Sequence, residues 1–261
     1  MNKKLLGIKC NTVEDIMEAV YDKEDYGKFS IFDIKYKDKG PAEFIQSFMK
    51  DQHTEDELTL EFYGPNVIFP PFQKGASEKA GFIGQQTSKY HAESIHTHIL
   101  MVLGSMMERT NDKWLLFTGL LHDCAKKYDT GVNRKGDLCF YDHEKLSAFG
   151  AAIIFKNIGF YKEEAAPYIT IIHSHMLPFN VWSKGNNKPW GSEKTGKELE
   201  EEFIAKYGQW VHDQVILLNQ CDIGVVNVTI EDFIANHDKI MSKYQDIILR
   251  GIDAFKIIAG E

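Results

Sequence analysis

A chain of 261 residues, 43% apolar and 26% charged, has the size and composition of one large globular domain, alone or with a small companion. Its formal net charge of -8 excludes a broad basic surface of the kind that grips duplex DNA, while leaving room for a local basic patch around an anionic substrate. No uncharged apolar run approaches the ~20 residues that span a bilayer, and the start, Met1-Asn2-Lys3-Lys4-Leu5-Leu6-Gly7, turns polar too soon for a secretory signal. A soluble cytoplasmic protein with no membrane partner is expected. The four cysteines, Cys10, Cys124, Cys139 and Cys221, form no Cys-x-x-Cys unit and are expected to be reduced thiols.

Residues 1–63 read as a small α/β or α+β accessory module. Leu5–Ile8 is strand-like. Thr12-Val13-Glu14-Asp15 has capping-box spacing and opens a helix to about Tyr21. Phe29–Tyr36 and Leu58–Tyr63 alternate apolar and polar residues, which suits half-buried strands, and Pro41–Met49 between them reads as a helix with Pro in its first turn. Residues 64–86, with Pro70-Pro71, Gly75, Gly81 and Gly84, form a connector. From Thr87 the pattern is helical, over 87–109, 112–124, 143–158, 162–176, 196–222 with a break near Gly208, and 231–258; loops 126–142 and 178–195 interrupt it. The predicted fold is mainly α: a helical domain over 87–261 behind the small N-terminal module.

Several predicted helices carry a polar residue on their apolar stripe. Ile95, His98 and Val102 share one face, as do Leu115, Gly119 and His122, with Asp123 directly after. His143 lies in line with Leu146, Gly150 and Ile154. Asp222 ends the stripe Val211, Val215 and Leu218. Taken singly, each such histidine can be a hydrogen-bonded core residue, and such an aspartate a cap or an ion-pair partner. Taken together, they would leave several buried polar groups to satisfy, each at ~1–3 kcal/mol if unpaired. One shared metal centre satisfies them all. Imidazole and carboxylate donors without a thiolate suit Mn, Fe, Co, Ni or Zn.

The order His98, His122-Asp123, His143, His175, Asp222 resembles the HD superfamily of metal-dependent phosphohydrolases. The resemblance rests on five short motifs in order across roughly residues 87–225. They are Thr97-His98-Ile99-Leu100-Met101-Val102-Leu103, Leu120-Leu121-His122-Asp123-Cys124-Ala125-Lys126, Asp142-His143-Glu144-Lys145-Leu146, Ile171-Ile172-His173-Ser174-His175-Met176-Leu177-Pro178 and Leu217-Leu218-Asn219-Gln220-Cys221-Asp222. The fourth is similar to the His-Met-x-Pro variant of HD domains in some CCA-adding enzymes. It favours His175 over His173, and spacing to Val102-Leu103 favours His98 over His91 and His96. Ala125 departs from the Gly that many members carry before the Lys. His53, His212 and His237 match nothing and read as surface or packing residues.

The resemblance implies a phosphomonoesterase or phosphodiesterase acting on a nucleotide or nucleic-acid-like phosphoester, with metal-bound hydroxide as nucleophile. It makes His98, His122, Asp123, His143, His175 and Asp222 the metal ligands. His98, His122, Asp123 and Asp222 form one site. Either Asp123 bridges to a second ion held by His143 and His175, or those two histidines face substrate phosphate. Asp123 and Lys126 become the catalytic pair, with Lys126 adding positive charge as the bond breaks; otherwise Lys126 is a solvated lysine at a helix C-terminus. Loop 126–135 holds Lys126, Lys127, Arg134 and Lys135 against Asp129. Loop 179–197 holds Trp182, Lys184, Lys188, Trp190, Lys194 and Lys197 against Glu193. Lys126, Arg134, Trp182, Lys184 and Lys188 are therefore expected to contact substrate, a phosphorylated small molecule, a nucleotide or short single-stranded nucleic acid. Trp182 and Trp190 would stack a base unless they pack onto the body. Two further readings share this ligand set: a di-iron oxygenase related to inositol oxygenase, acting on a small polar substrate, and a non-catalytic nucleotide-sensing module.

Overall fold

The computed structural model describes residues 11–27, 33, 37–39, 43, 44, 47, 95–126, 131, 132, 138–224 and 237–260. The fold is mainly α. Helix α1 (Val13–Met17) runs into one π-helical turn at Glu18–Asp22. Then come α2 (Ile95–Met106), α3 (Lys113–Leu121), α4 (His143–Asn157), α5 (Lys162–Ser174), α6 (Leu177–Asn180), a 3-10 turn at Trp182–Lys184, α7 (Gly196–Tyr207), α8 (Gln209–Gly224) and α9 (His237–Ala259). Between α3 and α4, Gly131–Val132 (β1) and Leu138–Cys139 (β2) form a two-residue antiparallel ribbon that the sequence reading had as plain loop.

The boundaries have local causes. Thr12 caps α1, its hydroxyl accepting from the Asp15 amide at 3.1 Å. Asp112 caps α3, its Oδ1 accepting from the Trp114 and Leu115 amides at 2.9 and 2.8 Å. Thr195 and Glu198 close a reciprocal capping box on α7. Gly208, at φ +88°, makes the predicted break between α7 and α8, in a conformation that favours glycine.

Helix α2 is apolar on nearly every face and lies at the centre, against α3, α8 and α9. Ile99, Val102, Leu103, Leu120, Ile154 and Val215 are fully buried around it. Its crossing with α9 is close because each helix offers a glycine: a Cβ on Gly104 would come within 3.0 Å of the Ile247 carbonyl oxygen, and one on Gly251 within 3.0 Å of the Leu100 carbonyl oxygen.

The described part of residues 1–63 joins this same core. Val13, Ile16 and Val20 pack with it, α1 lies against α4 and α5, and Phe44 meets Phe117 edge-on at 5.4 Å. Lys156 of α4 ties the segment down through the Val20 carbonyl and Glu24, at 3.0 and 2.8 Å. The strand expected at Phe29–Tyr36 is corrected at its described residue: Asp33 has helical backbone, and its carbonyl accepts from the Lys37 amide at 2.9 Å. Short alternation does not distinguish a strand from a short helical turn. The expected strands at 5–8 and 58–63 and the connector 64–86 lie outside the described residues. Among the described residues no helix is long and apolar enough to cross a membrane.

Candidate metal centre

Five helices deliver the predicted ligands to one place. His98 sits within α2. His122 follows α3 as its C-cap, and Asp123 lies in the turn after it. His143 is the first residue of α4, His175 is the C-cap of α5, and Asp222 lies in the last turn of α8. Ligands at helix ends have a local advantage, because carbonyls there lack intrahelical partners and can hold a ring. His122 Nδ1–H donates to the Gly119 carbonyl and His175 Nδ1–H to that of Ile172, each at 2.7 Å. His143 Nδ1–H donates to the Phe140 carbonyl, also at 2.7 Å. A carbonyl only accepts, so each Nδ1 carries the proton and each Nε2 keeps its lone pair for the interior.

The Nε2 atoms converge on Asp123. Its Oδ2 lies 3.6 Å from His98 Nε2 and 3.5 Å from His122 Nε2, while Oδ1 lies 3.3 Å from His143 Nε2. Asp222 Oδ1 closes the first group, 2.9 Å from His98 Nε2 and 4.0 Å from His122 Nε2. His175 completes the second, its ring 5.3 Å from that of His143 and 5.4 Å from that of His122. The donor atoms of His98, His122 and Asp123 all lie within 4.8 Å of one another, and so do those of Asp123, His143 and His175. The His143 and Asp222 side chains keep 12% and 13% of their surface, against 0–1% for His98, His122 and Asp123. The centre therefore opens on the His143–Asp222 side.

These groups can hold a metal ion. The buried atoms His122 Nε2, His175 Nε2 and Asp123 Oδ1 have no hydrogen-bond partner. Three such atoms cost ~1–3 kcal/mol each, and cations at the two donor groups would receive them. The charge states agree. Burial pushes His122 and His143 down to about 4, which keeps both imidazoles neutral. Burial alone would raise Asp123, but Lys126 first, then His122, His143 and His98, hold it well below the usual carboxylate range. At Asp222, burial is likewise outweighed by the hydrogen bond and charge of His98, so its carboxyl also lies low. Ionised carboxylates and neutral imidazoles are the forms that bind cations.

The other predicted residues separate clearly. Lys126 is only 5% exposed, so the reading of it as a solvated helix-end lysine is corrected: its Nζ donates to Asp123 Oδ2 at 2.8 Å. Trp182 is corrected as a free stacking platform. The turn after α6 lays its ring 5.1 Å from Phe203 and 5.0 Å from His212, leaving 6% exposed. Trp190 is fully exposed, and Lys184 and Lys188 are exposed on the same loop. Part of that loop's positive charge is compensated in space: Lys194 pairs with Glu202, and Lys197 and Glu201 lie 3.7 Å apart. Arg134 lies outside the described residues. His173 turns away from the centre, its Nε2 3.2 Å from the Asn11 carbonyl, while His212 packs beside Glu200 and Asp213. Missed in the sequence were Ser147, whose hydroxyl accepts from the Ala125 amide at 3.2 Å and steadies the turn after Asp123, and Asn219, which reaches the His175 carbonyl. No family model, curated protein or solved structure matches the chain.

The buried histidines should make the metal-free protein acid-labile. His122, His143 and His173 are each held down to about 4 by burial, against an ordinary value of 6.5. Between those values the unfolded chain binds protons that the folded chain refuses, so stability falls as pH drops from 6.5 to 4. The slope is up to ~1.4 kcal/mol per pH unit for each histidine. The depressed Asp123 and Asp222 add their own loss only below about 3.8. Melting temperatures of chelator-treated protein at pH 7, 6 and 5 should step down, and a flat series would contradict buried neutral imidazoles.

Proposed function

We propose that this chain is a metal-dependent phosphohydrolase of the HD type, a phosphomonoesterase or phosphodiesterase acting on a nucleotide-like phosphoester with two cations sharing Asp123. One observation carries the reading: the two oxygens of Asp123 face different donor groups, Oδ2 toward His98 and His122 and Oδ1 toward His143. That division favours a bridging carboxylate over a single site flanked by two substrate-facing histidines. The nitrogen and oxygen donor set suits Mn, Fe, Co, Ni or Zn.

When bound, divalent cations supply Lewis acidity to a phosphoryl oxygen and acidify water toward neutral pH. The chain's own residues supply the rest. His122, His143 and His175 are pinned through Nδ1, so their Nε2 atoms are oriented before any cation arrives. Lys126, buried beside Asp123 and 5.5 Å from the Phe140 ring centre, lends a fixed positive charge to the leaving group's developing negative charge. The side chains of His98, His122 and Asp123 are 0–1% exposed, which keeps water from their part of the centre. Trp190, Lys184 and Lys188, on the loop that follows His175, are the candidates for loose substrate contact.

The test is metal analysis of the purified protein, followed by a screen of nucleoside mono-, di- and cyclic phosphates with Mn, Co or Ni added. Metal-dependent release of phosphate or of a nucleoside monophosphate is expected. A protein that copurifies with iron, consumes O₂ and hydrolyses none of these esters would end the reading in favour of the di-iron oxygenase.

A further inference from the structure

Helix α5 ends at Ser174, and His175 follows as its C-cap, so the carbonyl of His175 falls among those a helix cannot satisfy itself. It is met from another helix. Asn219 of α8 donates its Nδ2–H to that carbonyl at 2.7 Å, and Asn219 is itself only 6% exposed. One turn further along α8 lies Asp222, on the same helical side. The ring of His175 is thus fixed by its own helix, through the Ile172 carbonyl, and its main chain by the helix that carries Asp222.

We infer that Asn219 is a positioning residue of the metal centre, setting the place of the His143–His175 pair relative to His98, His122 and Asp222. This rests on the two-cation reading of Asp123. Metal–ligand distances tolerate only ~0.2 Å of error. A carbonyl left without its donor lets the end of α5 shift by more than that. The consequence is selective. The first cation would be held by α2, by α8 and by the turn after α3, whereas the Asn219 amide bonds to the end of α5. The second cation would depend on His175, whose carbonyl takes that bond. An amide is a fitting side chain, since a buried carbonyl needs a donor and a neutral one meets that need without adding charge.

Cobalt(II) titration, followed by visible absorption and calorimetry, tests this on the full chain. The variants are Asn219→Leu, which keeps the volume and removes the donor, and Asn219→Ala. Thr170→Val is the control, because Thr170 is a buried residue of α5 whose hydroxyl bonds to the Ala166 carbonyl of its own helix. Wild type should take up two equivalents. Both Asn219 variants should hold the first within about threefold and bind the second about 10–100-fold more weakly, with an altered visible band for the second. Thr170→Val should lower the melting temperature of the metal-free protein and leave the second equivalent unchanged. The inference is overturned if the second equivalent binds the Asn219 variants as it binds wild type. It is also overturned if both equivalents weaken in parallel. A wild-type chain that takes up one cation or none removes this inference and the two-cation reading together. Two equivalents without phosphoester hydrolysis would remove only the hydrolase reading.

Discussion

If the proposed two-cation hydrolase reading holds, Asp123→Asn should strip the protein of cations and lower hydrolysis at least ~10³-fold, because the carboxylate and the ions would act as one unit. Both carboxylate oxygens are committed, so an amide that keeps the shape cannot keep the chemistry: its nitrogen faces one donor group whichever way it turns. The change also reaches beyond the ions. Lys126 has a 7% exposed side chain and donates to Asp123 Oδ2 at 2.8 Å. Removing the charge on one side of such a buried pair costs about 3–5 kcal/mol. Asp123→Asn should therefore melt well below metal-free wild type. Adding Lys126→Met should recover most of the stability and none of the metal. If the double variant regained cations, Lys126 rather than Asp123 would control the site. If Asp123→Asn alone bound two equivalents normally, the bridge would not exist.

The candidate metal cluster was only partly legible from periodicity: His98, His122, His143 and Asp222 lie on apolar helical stripes, whereas Asp123 and His175 entered through the resemblance to the HD superfamily. His98 between Ile95 and Val102, and Asp222 beyond Val215 and Leu218, are polar residues on stripes that must be buried, and both are. The break at Gly208 and the cap at Thr12 were equally readable, since each needs one residue in one backbone state. What the sequence hid depends on distance along the chain. Trp182 among lysines looks like a stacking residue, but its partners Phe203 and His212 come from α7 and α8, and nothing local reveals the turn that brings them under it. The lysines of the same loop look uncompensated until α7 places Glu201 and Glu202 beside them. Asn219 bonds to a backbone carbonyl, which every residue has, so its role leaves no pairing signal to read. Lys126 could be read as solvated or buried because spacing alone does not show that its side chain turns inward to Asp123 beside the Phe140 ring.

Gly104→Ala and Gly251→Ala should each destabilise the protein by about 3 kcal/mol or more, against the ordinary helix rule. Alanine is a better helix former than glycine by ~1 kcal/mol, so an open position would gain from either change. Neither position is open. The new methyl would meet backbone, the Ile247 carbonyl in one case and the Leu100 carbonyl in the other, and backbone cannot rotate away as a side chain can. Helices α2 and α9 must separate along their whole contact, and overpacking therefore outweighs propensity. Gly224→Ala is the contrast: among the described residues a Cβ there meets nothing within 4 Å, so its effect on stability should stay under ~1 kcal/mol. Urea unfolding of the metal-free variants reads the difference directly. Because α2 also carries His98, on the proposed metal reading the two destabilising variants should bind the first cation more weakly even where they remain folded. A Gly104→Ala protein as stable as wild type, with cobalt affinity intact, would mean that α2 does not pack on α9 in this way and that the crossing does not hold His98 in place.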